Sequence, residues 1–365
     1  MSKAAELANL IGNINAGGGG VNRNVIINGA MNVAQRGTSS TGIGASSGYF
    51  TCDRWKITTG NTAGRLTMTQ DSSAPSGFAN SIKLDCTTAD TSIAADEITI
   101  LGQSLEGQNV QAFAKGTSDA KPFVVSFYVK GNASATYVAE LFDHDNTRNI
   151  TQAFSVTTDW ARVELTFPAD TTGALDDDNA SSLTFQIWIH AGSTYSGGTF
   201  ADNTWGSVTQ ANRYAGSRTS FFDSTDRTFF ITGVQLEVGQ NPTEFESEPF
   251  DVTLRKCNRY FQKIEVTAGS YAHIAYAYTT TGMRAVLPYE KKRANPTFSF
   301  DNQGDVVCFY HGGTDADPTF NYHDAGTNSC RVSMDLTGVS TTAGYAAAAY
   351  VNGSVTYNIK VDAEL

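Results

Sequence analysis

Residues 123–130 read Phe-Val-Val-Ser-Phe-Tyr-Val-Lys, with an apolar side chain at every second position from Phe123 to Val129. Successive side chains of an extended chain point to opposite faces, so Phe123, Val125, Phe127 and Val129 share one face and Ser126, Tyr128 and Lys130 the other. The same period governs 162–167, where Val163, Leu165 and Phe167 form the inward set. It recurs in 183–190, with Leu183, Phe185, Ile187 and Ile189 inward and Thr184, Gln186, Trp188 and His190 outward. A doubly covered parallel sheet would give continuous apolar runs instead, so the pattern predicts half-buried antiparallel sheets. Short strands of this kind, separated by turn residues, recur across 49–247 and predict a sandwich.

Composition agrees. Only 17% of residues are charged, below the roughly 25% of an ordinary soluble domain, and the chain is rich in Thr, Gly, Tyr and Phe. Its 40% hydrophobic content is enough for real cores. The net charge of −11, with no basic stripe, argues against a nucleic-acid partner, because phosphate neutralisation needs clustered Lys and Arg. No apolar run reaches membrane-spanning length, so no membrane insertion is expected. The opening Met1–Glu6 lacks the apolar core of a signal peptide. Five scattered cysteines without a CxxC pattern suggest assembly in a reducing cytoplasm, with a Cys52–Cys86 pair as the alternative.

The chain divides by pattern into five parts. Residues 1–20 hold a short helix over 3–15, with Leu7, Ile11 and Ile14 at heptad spacing, and a joint at Gly17–Gly20. So short a helix is marginal alone, which makes the stripe an oligomerisation or docking surface, or else a face packed on its own domain. Residues 21–48 read as a linker with a strand-like Val25–Ile27 and a turn at Asn28-Gly29, and 49–250 as a jelly roll. Residues 251–263 read as a connector helix, with Asp251 as its cap and Leu254, Cys257 and Phe261 as its stripe. Residues 264–365 read as a second β-sandwich, with a strand at Tyr271–Tyr278 and a hairpin turn at Asn352-Gly353. The expected fold is therefore mainly β: N-terminal short helix, central jelly-roll β-sandwich, connector helix, C-terminal β-sandwich domain.

Two kinds of chemistry are suggested. Aromatic rings stack on the apolar faces of sugars while polar side chains take the hydroxyls. Gln186, Trp188 and His190 on one outward face, Tyr128 on another, and Tyr195 and Trp205 in Gly/Ser-rich loops are candidate carbohydrate contacts. The alternative is burial of those aromatics between protomers or under a loop. Asp143, Asp145, Asp176 and Asp178 lie in two Asp/Asn-rich runs that could supply oxygen ligands to Ca²⁺. The alternative there is a pair of solvated turns. A glycosidase would need two opposed carboxyls, which the same acids could supply. No HExxH, GxSxG or Cys–His signature accompanies them.

Three stretches carry a family resemblance: Asn24–Gly37 with Thr51-Cys52-Asp53-Arg54-Trp55; Gly233–Gly239 continuing through Pro242–Glu246; and Pro249–Asp251 through Arg259–Phe261. Their order and spacing resemble the tail fibre and host-recognition proteins of tailed bacteriophages, particularly marine ones. In those proteins the first motif opens a jelly roll similar to carbohydrate-binding modules, the second closes it, and a short helix leads to a C-terminal β domain. The resemblance covers most of 22–263, and the last hundred residues match only in kind. It implies a non-enzymatic virion tail fibre or receptor-binding protein without a cofactor, assembled in the host cytoplasm. The expected state is a trimer, docked through its N-terminus to the phage tail or other virion proteins. Its distal β domain would meet a bacterial surface glycan or protein. A structural virion component, such as a capsid decoration or tail-tip protein, and a polysaccharide depolymerase are the alternatives.

Overall fold

The computed structural model describes residues 2–15, 22–302, 305–310, 313–315, 318–352 and 356–365. The chain forms two compact units, Met1–Leu254 with Leu365 and Arg255–Glu364.

The first unit is a sandwich of two antiparallel sheets. One has six strands in the order Ser39–Ile43, Arg65–Asp71, Ser81–Thr88, Thr228–Val238, Phe123–Gly131 and Ala161–Phe167. The other has seven: Gly206–Ser207, Arg148–Val156, Ala135–Asp143, Ser181–Ala191, Ile98–Glu106, Lys56–Gly60 and Gly48–Tyr49. The inward sets read from the sequence meet between the sheets. Phe123, Val125, Phe127 and Val129 from one sheet and Leu183, Phe185, Ile187 and Ile189 from the other are all fully buried. Phe127 and Phe185 lie 5.9 Å apart, centroid to centroid. Each such side chain contributes about 1.5–3 kcal/mol on burial, so the interior between the sheets is the main source of this unit's stability.

Of the segment expected as a linker, 21–48, the described residues 22–48 are instead built into the sandwich. Val25 N–H donates to the Leu236 carbonyl (3.0 Å) and Val234 N–H to the Gly29 carbonyl (3.0 Å). The Asn24 amide accepts from Leu236 N–H and donates to the Val234 carbonyl, while both Glu246 carboxylate oxygens accept from the Asn22 and Asn24 amides. Val25–Ile27 is not a strand; it leads into a turn over 27–30 in which Asn28 takes a left-handed φ of 59°. The Asn28 side chain donates to the Val33 and Asp53 carbonyls, Gln35 bonds both Asp53 oxygens, and Trp55 Nε1 donates to the Asn28 carbonyl. The first and second sequence motifs are thus two halves of one staple that closes the sandwich.

The N-terminal helix spans Lys3–Asn15; Leu7 and Ile11 are exposed. The side chain of Ile14 and the expected joint at Gly17–Gly20 lie outside the described residues. The connector helix is shorter than expected, Phe250–Asn258. Tyr260 and Phe261 are buried, and Phe261 begins the strand Phe261–Val266, so tertiary burial ends the helix before its sequence pattern does.

The second unit packs a three-stranded sheet (Phe261–Val266, Tyr357–Asp362, Thr297–Asp301) with a seven-stranded one. The latter runs Gly313–Asp315, Val306–Tyr310, Ala346–Val351, Tyr271–Ala277, Gly282–Pro288, Ser329–Asp335 and Thr319–His323. Met283, Val332, Met334, Ala349, Tyr357, Ile359 and Val361 form part of its core. The strands on either side of Asn352-Gly353, where the hairpin was expected, do not pair with each other. Ala346–Val351 pairs with Tyr271–Ala277 and Val306–Tyr310, whereas Tyr357–Asp362 pairs in the other sheet, so this connection passes between sheets; Gly353 lies outside the described residues. In Tyr271–Ala277 the buried positions are His273, Ala275 and Ala277, and the larger Tyr271, Ile274 and Tyr276 are exposed. No helix among the described residues is long and apolar enough to cross a membrane.

Candidate functional site

The outer face of the seven-stranded sheet of the first unit carries a groove of about 320 Å³. It crosses four neighbouring strands, and their register fixes its rows. Lys56, Gly102, Gln186 and Glu140 stand side by side in one row; Ser104, Thr184 and Phe142 form the row on one side and Thr58, Ile100 and Trp188 the row on the other. His144, Tyr195, Gln210 and Arg213 complete the lining. At the middle of the floor Gly102 has no side chain, and a Cβ there would lie 2.9 Å from the Phe185 carbonyl oxygen. Close strand approach therefore keeps the floor low.

One carboxylate organises this face. Glu140 is fully buried and accepts from Asn149 Nδ2 (2.6 Å), Gln186 Nε2 (2.5 Å) and Trp188 Nε1 (2.6 Å). It also accepts from Arg213 Nε and Nη2, both at 2.9 Å. Such charge-assisted, bidentate bonds are the strong and directional ones. The Arg213 guanidinium lies 4.5 Å from the Trp188 ring centroid and 4.9 Å from that of Phe142, and Tyr195 and Tyr214 pack beside the indole. The groove's polar groups are thereby held in place by a charge that does not itself line it. Among the described lining residues there is no Asp or Glu. His144 bonds Thr184 Oγ1 at 2.8 Å; desolvation of part of its ring lowers its pKa, against the pull of Asp145 and Asp143.

Of the six expected sugar contacts, Gln186, Trp188 and Tyr195 come together here and Tyr128, His190 and Trp205 do not. Trp188 lines the groove but is fully buried, because the segment after Ala191 folds back over its end of the sheet, so it is not a bare stacking platform. Tyr128 belongs to the other sheet and packs against Phe78 (5.4 Å). His190 is fully buried; a register irregularity between Trp188 and His190 takes it out of the outward row. Trp205 donates to the Pro168 carbonyl (2.8 Å) and covers Lys115. Half-buried Phe142 and Tyr195 are the aromatics with free surface in the groove. Lys56, Phe142, Arg213 and Glu140 were not singled out in the sequence. The alternation of 135–143, with Glu140 at an outward position between Val138 and Phe142, was the available signal for two of them.

Among the described residues the four acids expected to hold Ca²⁺ do not gather at one point. Asp143 is fully buried and bonded to Lys115 Nζ (2.5 Å), which also lies 3.1 Å from Asp170. Asp145 accepts from the Asp176 amide (2.9 Å) and Asp178 from the Ala180 amide (2.8 Å), so these runs are turns, and the lysine already supplies the positive charge beside Asp143. Burial alone would raise the Asp170 carboxyl, but hydrogen bonds from Arg148, the Thr172 amide and Lys115 outweigh it and hold the group below its ordinary range.

No protein-family model matches the chain, and no curated protein matches it. Among solved structures, CBM4 is 12% identical over 58% of this chain and 97% of its own, with a TM-score of 0.30. TmCBM61 in complex with β-1,4-galactotriose is 10% identical over 59% and 99%, TM-score 0.30. The enzymatically active domain of bacteriophage CBA120 tailspike protein 4 is 13% identical over 59% of this chain and 21% of that one, TM-score 0.29. Overlap of this extent decides nothing about what this chain binds.

Proposed function

We propose that the first unit is a glycan-binding module and that the chain is a virion attachment protein, a tail fibre or receptor-binding protein of a tailed bacteriophage. The observation that carries the glycan reading is the groove itself. Its volume falls within the usual range of ligand sites, roughly 300–1,000 Å³. It offers half-buried Phe142 and Tyr195 beside the polar groups of Gln186, Lys56, Thr58, Ser104 and His144. Flat apolar surface beside fixed hydrogen-bonding groups suits a pyranose, which has both kinds of face. A lining without carboxylates favours binding over hydrolysis, since glycosidic cleavage needs two of them across the bond. The virion reading rests on the resemblance of the stapling motifs to those of phage fibres. The exposed Leu7 and Ile11 suit the oligomerising or docking role proposed for the N-terminal helix, with a trimer as the assembly.

The test is binding of the purified chain to host cells and to their extracted surface polysaccharide, beside Phe142→Ala and Gln186→Ala variants. Loss of binding in both variants, each still unfolding in one cooperative transition above the assay temperature, with no new reducing ends in the polysaccharide, is the expected result. Undiminished binding in both would remove the groove from the reading, and release of reducing ends would replace a binder with a depolymerase.

A further inference from the structure

Away from the groove lining, at one end of the same sandwich, three ligand-type side chains converge. Asp90 follows the strand Ser81–Thr88, Glu97 precedes Ile98–Glu106, and His190 stands near the end of Ser181–Ala191. They are 5%, 3% and 0% exposed. One imidazole nitrogen and one oxygen from each carboxylate all lie within 4.8 Å of one another, the one such set of three or more among the described residues. His190 Nε2 is 3.0 Å from a Glu97 oxygen.

Two features distinguish this cluster from the buried acids elsewhere in the unit. Asp143 and Asp170 have Lys115, and Glu140 has Arg213. Among the described residues no Lys or Arg pairs with Asp90 or Glu97, and His190 is the one basic group at the site. Two carboxylates so placed in a desolvated interior require a proton or a cation between them. The second feature is the support around the ligands. His190 Nδ1 lies 2.8 Å from Ser220 Oγ, the kind of outer partner that fixes the tautomer and orientation of a ligating imidazole. One Asp90 oxygen accepts from Thr62 Oγ1 and the Ala63 amide, and the other Glu97 oxygen from the Ala94 amide. Backbone bonds from Asp90 to Phe222 and from Gly192 to Glu97 (2.8 Å each) tie the contributing segments together.

We propose that Asp90, Glu97 and His190 bind one divalent transition-metal ion, of which Zn²⁺ is the representative, as a structural cross-link between three segments of the sandwich. A nitrogen with two carboxylate oxygens suits a borderline ion, whereas Ca²⁺ takes six to eight oxygens. Ligands about 2.1 Å from a tetrahedral zinc stand about 3.4 Å apart, so the cluster reaches that geometry by side-chain shifts of about an ångström. In the bound form Nε2 carries the lone pair to the metal, and Nδ1–H donates to Ser220.

The test takes the full chain, expressed with zinc supplied and also refolded with and without Zn²⁺. Metal content is measured by mass spectrometry and folding by circular dichroism, beside His190→Ala, Glu97→Gln and Ser220→Ala variants. The expected result is close to one zinc per folded chain and almost none in His190→Ala. Ser220→Ala should hold the ion about ten- to a hundredfold more weakly against a competing chelator. Zn²⁺ should raise the melting temperature of the wild type, and Ca²⁺ should not. If His190→Ala fails to fold, the near-isosteric Glu97→Gln serves in its place. A folded wild type that takes up no zinc on refolding, or a folded His190→Ala or Glu97→Gln chain that keeps it at full stoichiometry, overturns the proposal.

Discussion

Replacement of Glu140 by Gln is the sharpest perturbation of the groove. The side chain keeps its size, but one acceptor oxygen becomes a donor NH₂ facing the donors of Asn149, Gln186, Trp188 and Arg213, and the guanidinium loses its counter-charge. The Glu140 and Arg213 side chains are 0% and 10% exposed, so solvent does not make up the difference. Removing one member of a buried ion pair costs about 3–5 kcal/mol, and two lost charge-assisted bonds at about 1.5–3 kcal/mol each give an overlapping range of about 3–6 kcal/mol. All four tryptophans, Trp55, Trp160, Trp188 and Trp205, belong to the first unit, so fluorescence-detected urea unfolding of the intact chain reports on this sandwich alone. With an m-value of about 3 kcal/mol/M the midpoint should fall by roughly 1–1.7 M. Arg213→Met should also destabilise, and the double variant should lose about 1–3 kcal/mol less than the sum of the singles. A Glu140→Gln effect below about 0.5 kcal/mol, or strict additivity of the pair, would refute the view that this carboxylate fixes the groove.

Other expectations follow from the same structure. A Cβ at Gly29 would lie 2.1 Å from the Val234 carbonyl oxygen, so Gly29→Ala should open the staple and destabilise this unit by about 1–3 kcal/mol, read as a lower midpoint of the same fluorescence transition; an unchanged midpoint would contradict the close approach. Lys115→Met leaves Asp143 and Asp170 buried without their shared cation and should cost about 3–5 kcal/mol at neutral pH. Because the folded Asp170 pKa is depressed, its contribution in the wild type is present above the unfolded value of 3.8 and is lost as pH falls below it; urea midpoints between pH 5 and 2 check this. In the second unit, burial lowers His273 from 6.5 to about 4. Its neutral form, 3.3 Å from the Tyr322 hydroxyl, favours folding fully above pH 6.5, and up to about 3 kcal/mol is lost as pH falls to 4. His273→Gln should flatten that part of the profile, read by hydrogen exchange in Tyr271–Ala277.

The strands were legible because a half-buried sheet writes a period of two into the sequence, and every inward residue named for 123–130 and 183–190 is buried. Elements held by long-range partners were not. Residues 24–37 read as part of a linker because the hydrogen bonds that dock them come from Leu236, Val234 and Glu246, more than 200 positions away. The connector helix stops early because Tyr260 and Phe261 have a core to enter, which a periodicity count does not see. The outward position of Trp188 was legible, and so was burial under a loop as the alternative; that Arg213 supplies the cover was not, since it reaches Trp188 from another part of the chain. Glu140 stands on a strand whose alternation was visible, yet its partners lie up to 73 residues away.

The residues that make this sequence recognisable and those that line its groove are different sets. Asn24, Asn28, Gly29, Gln35, Asp53, Trp55, Val234, Leu236 and Glu246 are engaged in closing the sandwich. No side chain of Phe142, Thr184, Gln186 or Tyr195 is among these, and Ser104 meets the first motif through its backbone carbonyl, which accepts from Arg54. A Gly29 side chain would break the closure, whereas Gln186 and Trp188 in the groove are held by Glu140 and not by the staple. Likeness in the staple therefore transmits the fold, and under the proposed function the choice of glycan would rest with side chains outside the staple.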